Sequence, residues 1–217
     1  MWRHNEIDYT QIVNFTDEKR YVPFKIQLYE NGKIDGEIEI QREKIYDDYP
    51  IPMVIMIRNG SRLDFKIENY NGYYGNIENI HTGIENVGIG SLMFDIMYGY
   101  LLAKSKKDNF KIESITGTLS QHHHDSGDWL KSIPFYIKQA YRHDFVIEFT
   151  YGDTSTKLTK DSHPQYMNRE NARVYAEFLM NETKTATTMY LWVKYTTASR
   201  VYIHLVAKAV RIESAMG

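Results

Sequence analysis

The chain has 217 residues, a formal net charge of −2 and no cysteine. This length suffices for one large domain, or one domain with an appended segment, and allows a sizeable core. Balanced charge argues against a nucleic-acid partner, and the lack of cysteine excludes disulfides and thiolate nucleophiles. No stretch has the roughly 18 consecutive apolar residues of a membrane span, and residues 1–6 lack a signal peptide's apolar core. We therefore expect a cytoplasmic protein that does not interact with membranes.

The first part of the chain predicts antiparallel strands. Residues 24–28 alternate between apolar and polar types, Glu30 to Lys33 supply turn residues, and residues 34–40 alternate again. This pattern predicts a β-hairpin. Further strands are predicted at residues 54–57 and 63–67, joined by a turn at Asn59-Gly60.

The segment before residue 90 has no long helical pattern. Two alternatives remain for it. The short stretches 8–13 and 41–46 supply small helices, or the front of the domain is built without them.

The segment from Asn76 to Ile80 interrupts the strand pattern. Its apolar residues lie three apart, whereas a strand with one buried face has them two apart. A β-bulge would account for this spacing. An ordinary irregular strand end is the alternative.

A glycine-containing turn follows and leads into a helix. Gly88 and Gly90 lie two residues apart, and an apolar stripe at helical spacing extends from Leu92 to Ala103. We expect Ser91 to cap this helix and Gly99 to mark close packing on the sheet. The first turn of a helix has unpaired N–H groups and a partial positive charge, so this junction is suited to bind an anion.

The remaining pattern alternates strands and helices. A strand is predicted at residues 112–120, a polar loop at 121–128, a helix at 132–142 and a strand at 145–150. A helix with the capping residue Asn168 is predicted at 168–179, followed by strands at 189–195 and 201–210 that form a hairpin.

Three consecutive histidines, His122 to His124, lie in the predicted polar loop. Histidine pairs that bind metals are usually spaced so that both side chains lie on one face of an element, and consecutive residues are not. We expect a solvated loop and no metal site. One histidine facing an acceptor pocket is the alternative.

The glycine turn resembles the pyrophosphate loop of the GNAT acyltransferases, which reads Gln/Arg-x-x-Gly-x-Gly/Ala. Gly88 and Gly90 occupy the two glycine positions, and Glu85 stands where the family has Gln or Arg. A second block, residues 133–145, resembles the family's Phe-Tyr-x-Lys-x-x-Gly-Phe helix end, with Asp144 in the glycine position. The resemblance is clearest over residues 50–160.

The resemblance implies an α+β fold with a mixed, mostly antiparallel twisted sheet flanked by helices. Residues 1–160 would form the acyltransferase domain, and residues 161–217 would add a helix and a β-hairpin that pack on the domain or form a homodimer interface. The implied activity is transfer of an acyl group, expected to be acetyl, from coenzyme A to an amine by direct attack.

The resemblance also implies roles for particular residues. Tyr136 corresponds to the tyrosine that protonates the departing thiolate, and Glu78 is our candidate general base, since it lies on the strand beside the thioester. Acetyl-CoA would be bound by residues of the bulged strand and the glycine turn, namely Asn79, Ile80, Glu85, Asn86, Val87, Gly88, Ile89, Gly90 and Ser91.

Two alternatives stay open from the sequence. A GNAT family member usually has two helices between its first and second strands. Glu85, Asp144 and the lack of a long helical pattern there favour a GNAT-like module that has lost catalysis and serves in binding or assembly. A transferase with a macromolecular acceptor, such as a protein amino terminus or a charged tRNA, is the other, although the balanced charge argues mildly against tRNA.

Overall fold

The computed structural model describes residues 7–18, 22–30, 33–42, 53–57, 60–69, 72–83, 88–193 and 210–212. Over these residues the chain is α+β, with five α-helices and mostly antiparallel strands, so the predicted fold class is confirmed at this level. The chain divides into two compact units after Ile112, and residues 210–212 belong to the first. No described helix is long and apolar enough to cross a membrane.

The helices and strands have the following bounds. They are α1 (Tyr9–Asp17), β1 (Phe24–Glu30), β2 (Lys33–Arg42), β3 (Met53–Ile57), β4 (Ser61–Asn69), β5 (Tyr73–His81), α2 (Ile89–Lys107), β6 (Ile112–Leu119), α3 (Gln121–Asp125), α4 (Trp129–Arg142), β7 (Val146–Tyr151), β8 (Thr154–Leu158), a 3-10 helix (Pro164–Met167), α5 (Arg169–Glu182), β9 (Thr187–Trp192) and β10 (Val210–Ile212).

The sheet of the first unit has the strand order β10-β1-β2-β3-β4-β5, with antiparallel pairing throughout. The predicted hairpin is confirmed, since β1 pairs with β2. The turn at Gly60 is confirmed by a hydrogen bond from its N–H to the carbonyl of Ile57, whereas Asn59 lies outside the described residues. One face of this sheet is apolar, with fully buried Ile26, Ile38, Ile40, Ile55, Leu63 and Phe65.

Helices α1 and α2 contact each other, and α2 packs on β4. The ring of Tyr100 on α2 lies 5.7 Å from that of Phe65. A Cβ added to Gly99 would lie 2.3 Å from the Tyr9 ring. The closest approach at Gly99 is therefore to α1, a partner that the sequence did not predict.

One of the two short stretches that were candidates for small helices forms a helix. The stretch 8–13 begins α1, whose N-cap Asp8 accepts hydrogen bonds from the N–H groups of Thr10 and Gln11. This helix precedes β1, and the described residues from β1 to β2 form only the two strands. In the stretch 41–46, Gln41 and Arg42 end β2, and the rest lies outside the described residues.

The second unit has the strand order β6-β9-β7-β8, again with antiparallel pairing. Strand β8 was not predicted. Strand β9, from the predicted extension 161–217, lies between β6 and β7. Strand β10 pairs with β1, so it is not the hairpin partner of β9, and residues 194–209 lie outside the described residues.

Helices α4 and α5 pack together in the second unit, and α4 contacts β7. Phe149 of β7 lies 5.9 Å, ring to ring, from Tyr175 of α5. Helix α4 begins at Trp129, three residues before the predicted start at Ser132, so Pro134 lies inside the helix. The prediction placed proline in the first turn because its missing N–H is tolerated there.

Candidate functional site

Strand β5 contains a β-bulge at Glu78. Asn79 pairs with Asp64 of β4, and Ile77 pairs with the next residue, Phe65, so Glu78 has no opposite residue in the register of these two described strands. An extra residue of this kind locally disrupts the ladder and bends the strand. The predicted bulge is confirmed.

The bulge explains the apolar spacing in the sequence. Ile80 pairs with Leu63, and Ile77 pairs with Phe65. Leu63 and Phe65 alternate along β4, so both belong to its buried face. The extra residue at 78 thus places Ile77 and Ile80 on the same face, although they are three apart.

Glu78 is exposed and belongs to an ion-pair network on the other face of the sheet. Lys66 Nζ lies 2.8 Å from Glu78 Oε1 and 2.8 Å from Glu68 Oε1. Hydrogen bonds from Lys66 to Glu68 and Glu78 raise the pKa of its ammonium group, which stays charged. To accept a proton as a general base, Glu78 would have to give up part of this ion pair.

Asn79 and its neighbours continue the polar face. Asn79 is exposed and its side-chain amide donates to Asp64 Oδ2 at 3.4 Å, while Arg62 Nε donates to Asp64 Oδ1 at 2.7 Å. Sequence reasoning missed Lys66, Asp64 and Arg62. Their alternation with Leu63 and Phe65 along β4 was the available signal, because alternate residues of a strand lie on opposite faces.

Helix α2 begins at Ile89, with Gly88 as its N-cap. Gly88 has φ of 88°, a left-handed conformation that favours glycine, and an added Cβ would meet nothing within 4 Å. Ser91 therefore lies in the first turn and is not the N-cap, which corrects our expectation. The helix therefore begins at Ile89, three residues before Leu92, where the predicted apolar stripe starts.

The first turn of α2 differs from those of α1, α3 and α5. In those helices the side chains of Asp8, Ser120 and Asn168 accept backbone N–H groups of the first turn. Gly88 has no side chain to do so, and the first turn of α2 contains no acidic residue. Within the described residues, the partial positive charge at this end of α2 is thus not offset by a capping carboxylate.

The loop before α2 is described in part. The N–H of Gly83 donates to Ser61 Oγ at 2.9 Å, which ties the end of β5 to the start of β4. The predicted binding residues Glu85, Asn86 and Val87 lie outside the described residues, whereas Asn79, Ile80, Gly88, Ile89, Gly90 and Ser91 lie within them. The bulged strand and the start of α2 both belong to the first unit.

These features fit a diphosphate. An anion at a helix start gains hydrogen bonds from backbone N–H groups and a favourable interaction with the helix dipole. The open space around Gly88 allows close approach of a ligand to the backbone. Glu85 is the one acidic residue that the sequence places beside this turn.

Tyr136 lies on α4 in the second unit and is buried, with 5% of its surface exposed. Burial raises the pKa of its phenol above the ordinary value of 10.0. The hydroxyl therefore stays protonated at neutral pH, as a proton donor must. The same shift makes it a weaker acid toward a thiolate.

The end of α4 explains how Asp144 replaces the family's glycine. Asp144 has φ of 56°, and the N–H of Phe145 donates to the carbonyl of Ala140 at 2.8 Å. This is a Schellman motif, whose left-handed residue is usually glycine. Aspartate tolerates that conformation better than most residues.

The three histidines lie on α3 and not in a loop, which corrects our expectation. Ser120 caps this short helix through the N–H of His123. His124 is half-buried, with Nδ1 3.0 Å from Asp125 Oδ1 and Nε2 3.0 Å from the carbonyl oxygen of Met180. The described residues contain no group of three or more histidine, aspartate or glutamate side chains placed to hold a metal ion.

In comparisons with known proteins, no protein-family model matches the sequence, and no curated protein matches it significantly.

Proposed function

We propose that the chain is an acyl-CoA-dependent N-acyltransferase of GNAT type that moves an acyl group, expected to be acetyl, to an amine. One observation carries the proposal. A bulge at Glu78, three residues before the end of β5, and a left-handed glycine N-cap at Gly88 flank one strand-to-helix connection. A bulge locally disrupts a strand ladder, and the glycine leaves a helix start without a side-chain cap, so the proposal assigns backbone groups at both places to an extended ligand.

In this proposal the ligand follows the chain from β5 to α2. The diphosphate of coenzyme A would bind the backbone amides of the first turn of α2, and the pantetheine arm would lie along residues 78–80. Backbone N–H groups near the bulge would polarise the thioester carbonyl as charge develops on its oxygen. No side chain needs to form a covalent intermediate.

The reaction forms one bond and breaks one. The amine nitrogen attacks the thioester carbonyl carbon, the new C–N bond forms, and the C–S bond breaks to release a thiolate. The nitrogen loses a proton and the thiolate gains one. The resemblance to the GNAT family assigns donation of the proton to sulfur to Tyr136, and Glu78 is our candidate to accept the proton from nitrogen, directly or through water.

A second candidate is a binding or assembly module that has lost catalysis. It is favoured by the ion pair that already occupies Glu78, by the burial of Tyr136, and by the absence of a helix between β1 and β2 in the described residues. The two candidates differ in whether the start of α2 binds coenzyme A.

Titration calorimetry with acetyl-CoA in low salt tests the proposal. We expect the wild type to bind with a Kd of about 1 mM or tighter. Gly88→Ala should weaken binding at least about tenfold, because its Cβ would occupy the approach to the first-turn amides. Gly127→Ala is the matched control, since Gly127 also has a positive φ, of 78°, and open space around it, but precedes α4. The absence of binding at millimolar acetyl-CoA would contradict the proposal that the chain is an acyl-CoA-dependent enzyme.

Two further variants separate the candidates. Glu85→Gln removes a negative charge beside the diphosphate, so an enzyme should keep or gain affinity for coenzyme A, whereas a module without the site should show no binding in either form. Tyr136→Phe should lower the rate of acyl transfer to a panel of amines by about 100-fold while acetyl-CoA binding is retained. Equal rates for Tyr136→Phe and wild type would remove Tyr136 from the mechanism.

A further inference from the structure

Helix α5 presents an apolar stripe to solvent. Val174 is 63% exposed and Phe178 is 50% exposed, and they are four residues apart on one side of the helix. Met167, in the 3-10 helix that leads into α5, is 63% exposed and lies seven residues before Val174. Large apolar side chains that are this exposed and share one side of a helix indicate a contact surface.

The opposite side of α5 is buried. Ala172, Tyr175, Ala176 and Leu179 are buried, and α5 packs against α4. The ring of Phe178 lies 6.2 Å from that of Tyr175. Phe178 of the exposed stripe therefore packs against the ring of the buried residue Tyr175.

The stripe has a symmetric spacing. Asn171, Val174, Phe178 and Asn181 follow one another at intervals of three, four and three residues, and all four are exposed. This is the spacing of a helix-to-helix seam. Its midpoint lies between Val174 and Phe178. An antiparallel copy of α5 would therefore place Val174 opposite the partner's Phe178 and Asn171 opposite the partner's Asn181.

The charges beside the stripe are self-complementary. Arg173 and Glu177 are an exposed pair on α5, with Nε 3.7 Å from Oε1. In the antiparallel arrangement Arg173 of one copy and Glu177 of the other are offset by two residues, about 3 Å along the helix axis, and the two-fold axis repeats this contact. The two Glu177 residues are offset by the same amount, so two attractive pairs accompany one repulsive pair. A helix of unrelated sequence would have to match both the apolar centre and this order of charges.

We propose that α5 is a homodimerisation surface, on which two copies of the chain pair their α5 helices antiparallel about a two-fold axis. The contact is isologous, because the same residues contribute from both copies. The proposal is independent of the acyltransferase proposal. The central contact is Val174 against the partner's Phe178, and the Arg173 and Glu177 pairs fix the direction.

Sedimentation equilibrium of the full chain tests the proposal. One helix pair is a small interface, so we expect a dimer with a Kd of about 10 to 100 μM. Phe178→Asp should raise this Kd at least about 30-fold, because it would bury a charge against the partner's apolar side chain. Val22→Asp is the matched control, since Val22 is 57% exposed but lies outside α5. A wild type that remains monomeric at 10 times the highest of these concentrations overturns the proposal, whether or not another protein binds α5.

Charge reversal tests the antiparallel direction. Arg173→Glu and Glu177→Arg should each raise the Kd about tenfold, because each places like charges together across the axis. An equimolar mixture of the two variants should form a heterodimer with the wild-type Kd, since every cross-axis pair is then of opposite charge. Contacts within one chain cannot produce this rescue, because mixing leaves them unchanged. Failure of the mixture to associate overturns the antiparallel arrangement, and circular dichroism verifies that each variant is folded.

Discussion

Helices α2 and α5 begin in different ways. At the start of α5, Asn168 has an extended backbone, and its side chain accepts the N–H groups of Glu170 at 2.8 Å and Asn171 at 3.3 Å. At the start of α2, Gly88 has a left-handed backbone and no side chain. The protein thus satisfies the first turn of α5 with its own atoms. Among the helices of the described residues, α2 is the one that combines a glycine start without a side-chain cap and an adjacent bulged strand, and this combination is suited to an anionic ligand.

The two helices also end in different ways. The last turn of α2 contains Lys104, Lys106 and Lys107, and Lys104 and Lys107 each lie 2.7 Å from Asp17 of α1. The last turn of α5 contains no basic residue. Its carbonyl at Met180 instead accepts a hydrogen bond from His124 of α3. Positive charge at the end of α2 is permanent at neutral pH, whereas at the end of α5 it can titrate.

The surroundings of the two helices differ as well. Every residue of α2 from Met93 to Leu101 is buried, whereas α5 buries one side and exposes the other. A buried helix tolerates little change in side-chain volume, and a surface helix depends more on its ends. Substitutions within α2 should therefore have larger effects than substitutions at the ends of α5.

The largest effect is expected for Gly99→Ala. The new methyl group would overlap the Tyr9 ring, so we expect a loss of about 1 to 3 kcal/mol in the free energy of unfolding, measured by urea denaturation. The double variant Gly99→Ala with Tyr9→Leu is the control, and in it the added cost of alanine should be smaller. If alanine instead stabilises α2 by about 1 kcal/mol, as at an exposed helix position, α1 does not pack on Gly99.

An intermediate effect is expected for Asn168→Ala. The variant removes the acceptor of two N–H groups in the first turn of α5, and the free energy of unfolding should fall by about 1 kcal/mol. Asn181→Ala, near the other end of the same helix, should change it by less than about 0.5 kcal/mol when the protein is dilute enough to be monomeric. Equal losses in the two variants would show that the cap at Asn168 does not stabilise α5.

The sequence predicted those features that depend on neighbouring residues. The β1–β2 hairpin follows from alternation around a turn, the bulge from an apolar spacing of three, and the cap at Asn168 from a polar residue before a helical pattern. Each of these signals lies within about ten residues of chain, where local preferences determine the structure.

Features that depend on distant partners were missed. Strand β9 lies between β6 and β7, and the residues of β9 alone do not determine which strands it pairs with. In the candidate site, Glu78 was predicted as a general base, but its ion-pair partner Lys66, which lies on the neighbouring strand and is positioned by the strand register, was not predicted. The close packing at Gly99 was recognised, but its partner was not, because Tyr9 lies in a segment that had no clear pattern.

The smallest effect is expected from titration of His124. The Met180 carbonyl and the Asp125 carboxylate both accept from this imidazole, which raises its pKa above the ordinary value of 6.5. Since the pKa is higher in the folded state, the stabilisation is fully present below about pH 6.5 and is lost as pH rises through the folded value.

Urea denaturation from about pH 5.5 to about pH 9 should therefore show a difference between wild type and His124→Gln that shrinks with rising pH. His123→Gln is the control for the substitution itself, because His123 lies on the same short helix and is exposed. A difference between wild type and His124→Gln that is constant with pH would mean that His124 stabilises the end of α5 by packing on Trp129 and not by its charge.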